Sequence, residues 1–125
     1  MLRTWMVAAL VLGATEMLGA TQAAAQHTSF LLINGMEYPI SQLAVSETDF
    51  GMWTPNVLPP PPIKAGERRQ VTFIAPTTYC QADLRVEFAD GGNPAIWQNL
   101  NLCTLTKIKL IYDRMSGITT ASYDD

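Results

Sequence analysis

The chain has 125 residues, 48% hydrophobic and only 15% charged, with a net charge of −3 at neutral pH. Once a leader is set aside that is enough chain for one domain and not for two. The few basic residues are scattered and outnumbered by acids, so neither nucleic acid nor an anionic membrane surface is an expected partner.

The first residues read as an address. Met1-Leu2-Arg3 supplies a short positive region, Trp5 to Leu12 is almost wholly apolar, and Ala23-Ala24-Ala25 offers a small-x-small cleavage signal. Residues 1–25 are therefore expected to be a signal-peptide helix that is removed on export. Glu16 ends the apolar run. A carboxylate at mid-bilayer costs several kcal/mol, so the stretch suits export better than a retained anchor. The mature protein would then begin at Gln26, in the periplasm or secreted, with no membrane span.

After a polar stub, Ser29 to Ile33 is a continuous apolar run short enough for a central strand. Asn34-Gly35 follows, a strong hairpin signal, with Glu37 to Val45 as the expected partner and Ser41 to Ser46 its regular part. Pro39 and the spacing of Ile40, Leu43 and Val45 imply a bend or bulge. Glu47 to Gly66 is a long connection holding Phe50, Met52, Trp53 and the run Pro59, Pro60, Pro61, Pro62, which is extended and largely polyproline II. Arg69 to Ile74 alternates again, with Val71 and Phe73 on one face.

Cys80 to Cys103 carries the clearest structural signal. Leu84, Val86 and Phe88 alternate with Asp83, Arg85 and Glu87, Asp90-Gly91-Gly92-Asn93 tolerates a tight turn, and Ile96 to Leu102 returns the chain. The two cysteines bracket this unit, so a disulfide between them closes the hairpin at its open end. One conflict stands in the register. A two-residue turn brings the cysteines opposite each other but sends Leu100 and Leu102 to the wrong face. A bulge near Gln98-Asn99 flips parity midway and reconciles the two.

Leu105 to Tyr112 is the last expected strand, with Ile108, Leu110 and Tyr112 on one face and Lys107 and Lys109 on the other, a charge pattern that suits a sheet edge. Residues 113–125 lack an apolar period and read as a flexible tail. The whole is expected to be all-β: a small antiparallel β-sandwich over 26–112, Ig-like in general plan, with six or seven strands.

Several residues are also similar to a group of small exported bacterial β-proteins, alphaproteobacterial in type. The matching positions are Asn34 and Gly35, Ser46, Trp53, Gly66, Cys80, Asp83, Leu84, Arg85, Asp90, Gly91, Leu102 and Cys103. The chain departs from that pattern at Thr54, where a glycine usually follows the tryptophan, and in its proline run. The resemblance implies export, a disulfide and a β-rich fold, and it implies no activity.

Candidates for chemistry are few. His27, the sole histidine, sits beside the expected amino terminus, but with no second imidazole it makes no metal site, and no cofactor is expected. Asp83 and Glu87 flank Arg85 on one strand face; a small hydrolase could use such carboxylates, although a solvated, salt-bridged ladder is the commoner outcome. No nucleophile elbow, zinc-helix motif or phosphate loop is present. The leading expectation is an exported, non-catalytic binding or accessory module meeting a protein partner through a loop of Phe50, Met52, Trp53 and Pro59 to Pro62. A structural subunit of an envelope assembly is the third reading.

Overall fold

The alternating runs form strands, and the computed structural model, which describes residues 26–75 and 79–124, contains seven. They are β1 Gln26–Asn34, β2 Ile40–Glu47, β3 Arg68–Ala75, β4 Gln81–Phe88, β5 Ala95–Asn101, β6 Lys107–Asp113 and β7 Ile118–Asp124. One sheet has the order β3-β1-β6-β7 and the other β2-β4-β5. Neighbours are antiparallel except β1 and β6, which run parallel. The fold is thus an all-β sandwich, its core made by Phe30, Leu32 and Ile108 of one sheet against Leu43, Leu84 and Trp97 of the other. The expected signal peptide, 1–25, lies outside the described residues. Among those described, no helix is long and apolar enough to cross a membrane.

Asn34-Gly35 does not close a hairpin. β1 and β2 belong to different sheets, and the segment between them crosses from one to the other. The Asn34 side chain makes that crossing tenable. It is fully buried, its amide donates to the carbonyls of Tyr38 and Ile63 (both 2.9 Å), and its Oδ1 accepts from the Met36 N–H at 2.9 Å. One side chain thereby serves the Tyr38 carbonyl and the Met36 N–H, and adds a second donor to the Ile63 carbonyl, which also accepts from the Ile40 N–H at 2.9 Å. Gly35 donates to the Leu110 carbonyl at 3.0 Å. A Cβ there would stand 2.8 Å from Lys109 Cε and 2.9 Å from the Leu110 oxygen, so glycine answers a close approach rather than a turn.

The C-terminal residues are not a tail. β7 pairs with β6 from Lys107↔Asp124 to Asp113↔Ile118, and Lys107 and Asp124 form an ion pair at 3.2 Å. β6 therefore lies inside its sheet, between β1 and β7, and its lysines occupy an outer face instead of guarding an edge. Ile118-Thr-Thr-Ala-Ser-Tyr-Asp124 has strand-forming residues but little apolar contrast between its faces, which is why periodicity missed it. The amino-terminal stub is likewise part of a strand, with His27 paired to Ile74.

The disulfide-bracketed hairpin forms as expected. Cys80 and Cys103 are bonded, with Cα atoms 5.1 Å apart. Pairing shifts from Leu84↔Trp97 to Ala82↔Leu100, which puts an extra residue into β5 at Gln98-Asn99; Asn99 takes φ 62°, a value that asparagine tolerates better than most residues. Trp97, Leu100 and Leu102 consequently all point inward. A second irregularity lies in β2 between Ile40 and Gln42, where the spacing after Pro39 implied one.

Replacing the buried crossing amide tests this account. Asn34→Ala leaves the Tyr38 carbonyl and the Met36 N–H without partners, takes one of two donors from the Ile63 carbonyl, and should lower unfolding free energy in urea by roughly 2–3 kcal/mol. A loss below about 0.5 kcal/mol would show that the crossing does not depend on it.

Candidate functional site

The two seams of the sandwich differ. At the β5–β7 seam the sheets are tied together: Trp97 Nε1 donates to the Thr120 carbonyl at 2.7 Å, and Thr119 Oγ1 donates to the Ile96 carbonyl at 3.1 Å. At the opposite seam, between β2 and β3, the long connection of residues 48–67 spans the gap. There the sandwich opens into a groove of about 880 Å³.

The connection is fastened at many points. Asp83, buried on β4, accepts from Thr48 Oγ1 at 3.1 Å, the Asp49 N–H at 3.3 Å and the Asn99 N–H at 2.9 Å. The Ser46 hydroxyl accepts from the Met52 N–H at 3.0 Å. Further on, the connection runs along the free edge of β2: the N–H groups of Thr54 and Val57 donate to the carbonyls of Val45 (2.8 Å) and Leu43 (2.9 Å). Thr54 Oγ1 and Asn56 Oδ1 accept from the Val45 and Leu43 N–H groups in return. A loop held this way presents Phe50, Met52 and Trp53 without first having to order them, which lowers the entropic cost of any contact they make.

Those three residues line the groove with Val57, with Phe73 and Ile74 of β3, and with Tyr79; Glu47 stands at its rim. Phe50, Met52 and Ile74 are 62%, 76% and 57% exposed, a concentration of large apolar side chains in water that marks recognition surfaces more often than plain surface. Trp53 is half-buried and does not roof the core, where the fully enclosed tryptophan is Trp97. Its ring lies 5.0 Å from the Arg85 guanidinium carbon, a cation–π contact that fixes the indole. Burial, with the Glu47 carboxylate adding to it, pushes the Tyr79 phenol above its ordinary value, so it stays a protonated donor at neutral pH.

Of the expected loop, then, Phe50, Met52 and Trp53 come together. The run Pro59 to Pro62 is exposed but stands outside the groove, where the Pro59 carbonyl accepts from Arg69 Nη1 at 2.7 Å. Val57, Ile74 and Tyr79 escaped the sequence reading. Ile74 had a signal: it continues the Gln70, Thr72 face of β3, where an apolar residue breaks the polar alternation.

The expected carboxylate ladder is only half present. Glu87 pairs loosely with Arg85 at 3.8 Å, but Asp83 is buried beneath the connection as a structural acceptor, and neither lines the groove. Among the described residues no cluster of His, Cys, Asp or Glu could hold a metal ion.

Comparison with family models, with curated proteins and with solved structures finds no match for this chain. Its residues must speak for it.

At the end of the sandwich that carries the β4–β5 turn, Arg114 makes a bidentate ion pair with Asp90 (2.9 Å for both bonds) and lies 3.5 Å over the Tyr38 ring. Tyr38, Phe88, Tyr112 and Trp97 continue inward as a chain of ring contacts. A side chain at Gly92 would run into the Arg114 guanidinium. The clamp joins the β4–β5 turn to the β6–β7 turn, and it is structural.

Two outcomes follow from these carboxylates. Asp83→Ala should cost roughly 2–3 kcal/mol and accelerate hydrogen exchange at the Asp49 and Asn99 amides; unchanged exchange there would refute the anchoring role. The Arg114 hydrogen bonds hold the Asp90 pKa below its ordinary 3.8. A depressed carboxylate stabilises the fold above its unfolded pKa and loses that contribution as pH falls through the folded one. The stability gap between the native protein and Asp90→Asn should therefore be full near neutrality and shrink below about pH 4; a gap independent of pH would refute it.

Proposed function

We propose that this protein is an exported, non-catalytic binding module of the bacterial envelope, periplasmic or secreted, which takes its partner at the β2–β3 groove. The observation that carries the reading is the groove itself: exposed Phe50, Met52 and Ile74 set around a half-buried Trp53 on a connection fastened by Asp83, Ser46, Thr54 and Asn56. Concave, mostly apolar sites of this size with a few polar groups at the rim are the usual form of a ligand site. The disulfide supports export, because such bonds persist in oxidising compartments. The resemblance to small exported bacterial proteins and the signal-like segment agree with it.

Site-specific photo-crosslinking in an expressing host tests the reading. A photoreactive residue at Phe50 should trap a reproducible adduct that disappears when Met52 and Ile74 are both replaced by glutamate. The same probe at Met115, which is 97% exposed on the β6–β7 turn, should trap nothing specific. Equal labelling from both positions, or none from Phe50, would overturn the groove as the binding site.

A further inference from the structure

Four strands lie at sheet edges: β2, β5, β7 and β3. The first is covered by residues 54–57, and the next two are tied to each other through Trp97 and Thr119. β3 is different. The N–H groups of Leu31 on β1 and of Gly35 just after it donate to the carbonyls of Thr106 and Leu110, on the β6 side, and that of Asn34 donates to the Glu67 carbonyl at the start of β3. Alternation then makes Leu32↔Arg69, Phe30↔Val71 and Thr28↔Phe73 the hydrogen-bonded pairs. The main-chain groups of Gln70, Thr72 and Ile74 must point away from the sheet. No other backbone group among the described residues bonds to them, and all three residues are exposed. The far end of this open edge, at Phe73 and Ile74, is one wall of the apolar groove.

We infer that the groove takes an extended peptide, which adds to β3 as a fifth strand and seats apolar side chains against Met52, Trp53 and Tyr79. The inference rests on the binding reading above and names its partner class. A strand is the ligand that needs both features found here, a row of unpaired main-chain groups and an apolar trough beside it, because its backbone bonds in the sheet plane while alternate side chains leave one face. A small apolar molecule would use the trough and leave the edge bare.

Charge complementarity sets the direction. Arg68 and Arg69 open β3, and neither forms an ion pair among the described residues, while Glu47 stands at the other end of the site. An antiparallel strand brings its C-terminal end to the arginines, so the preferred peptide is acidic there and apolar toward its N-terminal half.

The probe is a ten-residue synthetic peptide alternating valine or phenylalanine with threonine and ending in two glutamates. It is presented to the exported, disulfide-bonded protein beside a copy N-methylated at alternate amides on its pairing edge. The expected result is saturable binding that slows hydrogen exchange at Gln70, Thr72 and Ile74 and shifts the Trp53 indole resonance. N-methylation should weaken it at least about tenfold, since two or more hydrogen bonds are lost. Arg68→Glu should weaken the acidic peptide by about threefold to fivefold, as a rim charge does. Equal affinity for the two peptides overturns strand addition and leaves the binding module standing. So does binding of the aromatic dye anilinonaphthalene sulfonate at Trp53 without peptide binding. Protection of the β3 edge that grows with protein concentration alone makes a second copy the occupant and overturns the peptide. If peptide and dye both fail to reach the groove, strand addition is overturned and the binding reading loses its support.

Discussion

The carboxylate of Asp83 is the point on which the two halves of this molecule turn. It sits on β4 where the outer face should be wet, yet it is buried, because the 48–49 turn and the β5 bulge both donate to it. Those N–H groups belong to irregular backbone, Asp49 at φ 69° and Asn99 at φ 62°, that has no ladder to join. The buried group is the carboxylate, and a buried charge is costly unless it is hydrogen-bonded, so the turn and the bulge make its burial tenable as it fixes them. The bulge brings Trp97 and Leu100 inward together, and the turn launches the connection that carries Trp53.

From there the asymmetry of the sandwich follows. Every residue between Ser46 and Leu58 that the connection uses as an anchor reaches toward β2 or β4, so the connection belongs physically to the three-stranded sheet. It saturates the β2 edge and leaves the β3 edge bare. The opposite seam is drawn shut by Trp97 and Thr119, and its end is locked by the Arg114–Asp90 clamp over Tyr38. The sandwich is thus closed on one side and propped open on the other, at the groove. The walls of the groove are stiffened by the bonds that fasten the connection to Asp83, Ser46, Val45 and Leu43.

Much of this was legible in residue order. The strands over 40–47, 68–75 and 81–88, the disulfide and the parity-flipping bulge all follow from local alternation and spacing, because each depends on neighbours close in sequence. The misreadings share a cause. Asn34-Gly35 looks like a hairpin turn, but its fate depended on carbonyls at Tyr38 and Ile63 and on the closeness of β6. β7 looked like a tail since both its faces are nearly alike in polarity. Asp83 looked solvated because nothing nearby in sequence announces that residues 48, 49 and 99 will converge on it.

The same division runs through the site. By itself the sequence determined that the chain is a small disulfide-closed β-domain, and that Phe50, Met52 and Trp53 lie on a loop, since the alternating period of strands, the proline run and cysteine pairing are local chemistry. Only the tertiary structure decided that this loop leans across an open seam onto Ile74 and Tyr79, and that β3 is the edge left bare. Which edges of a sheet are covered is a matter of contacts between residues dozens of positions apart, and no pattern along the chain records them.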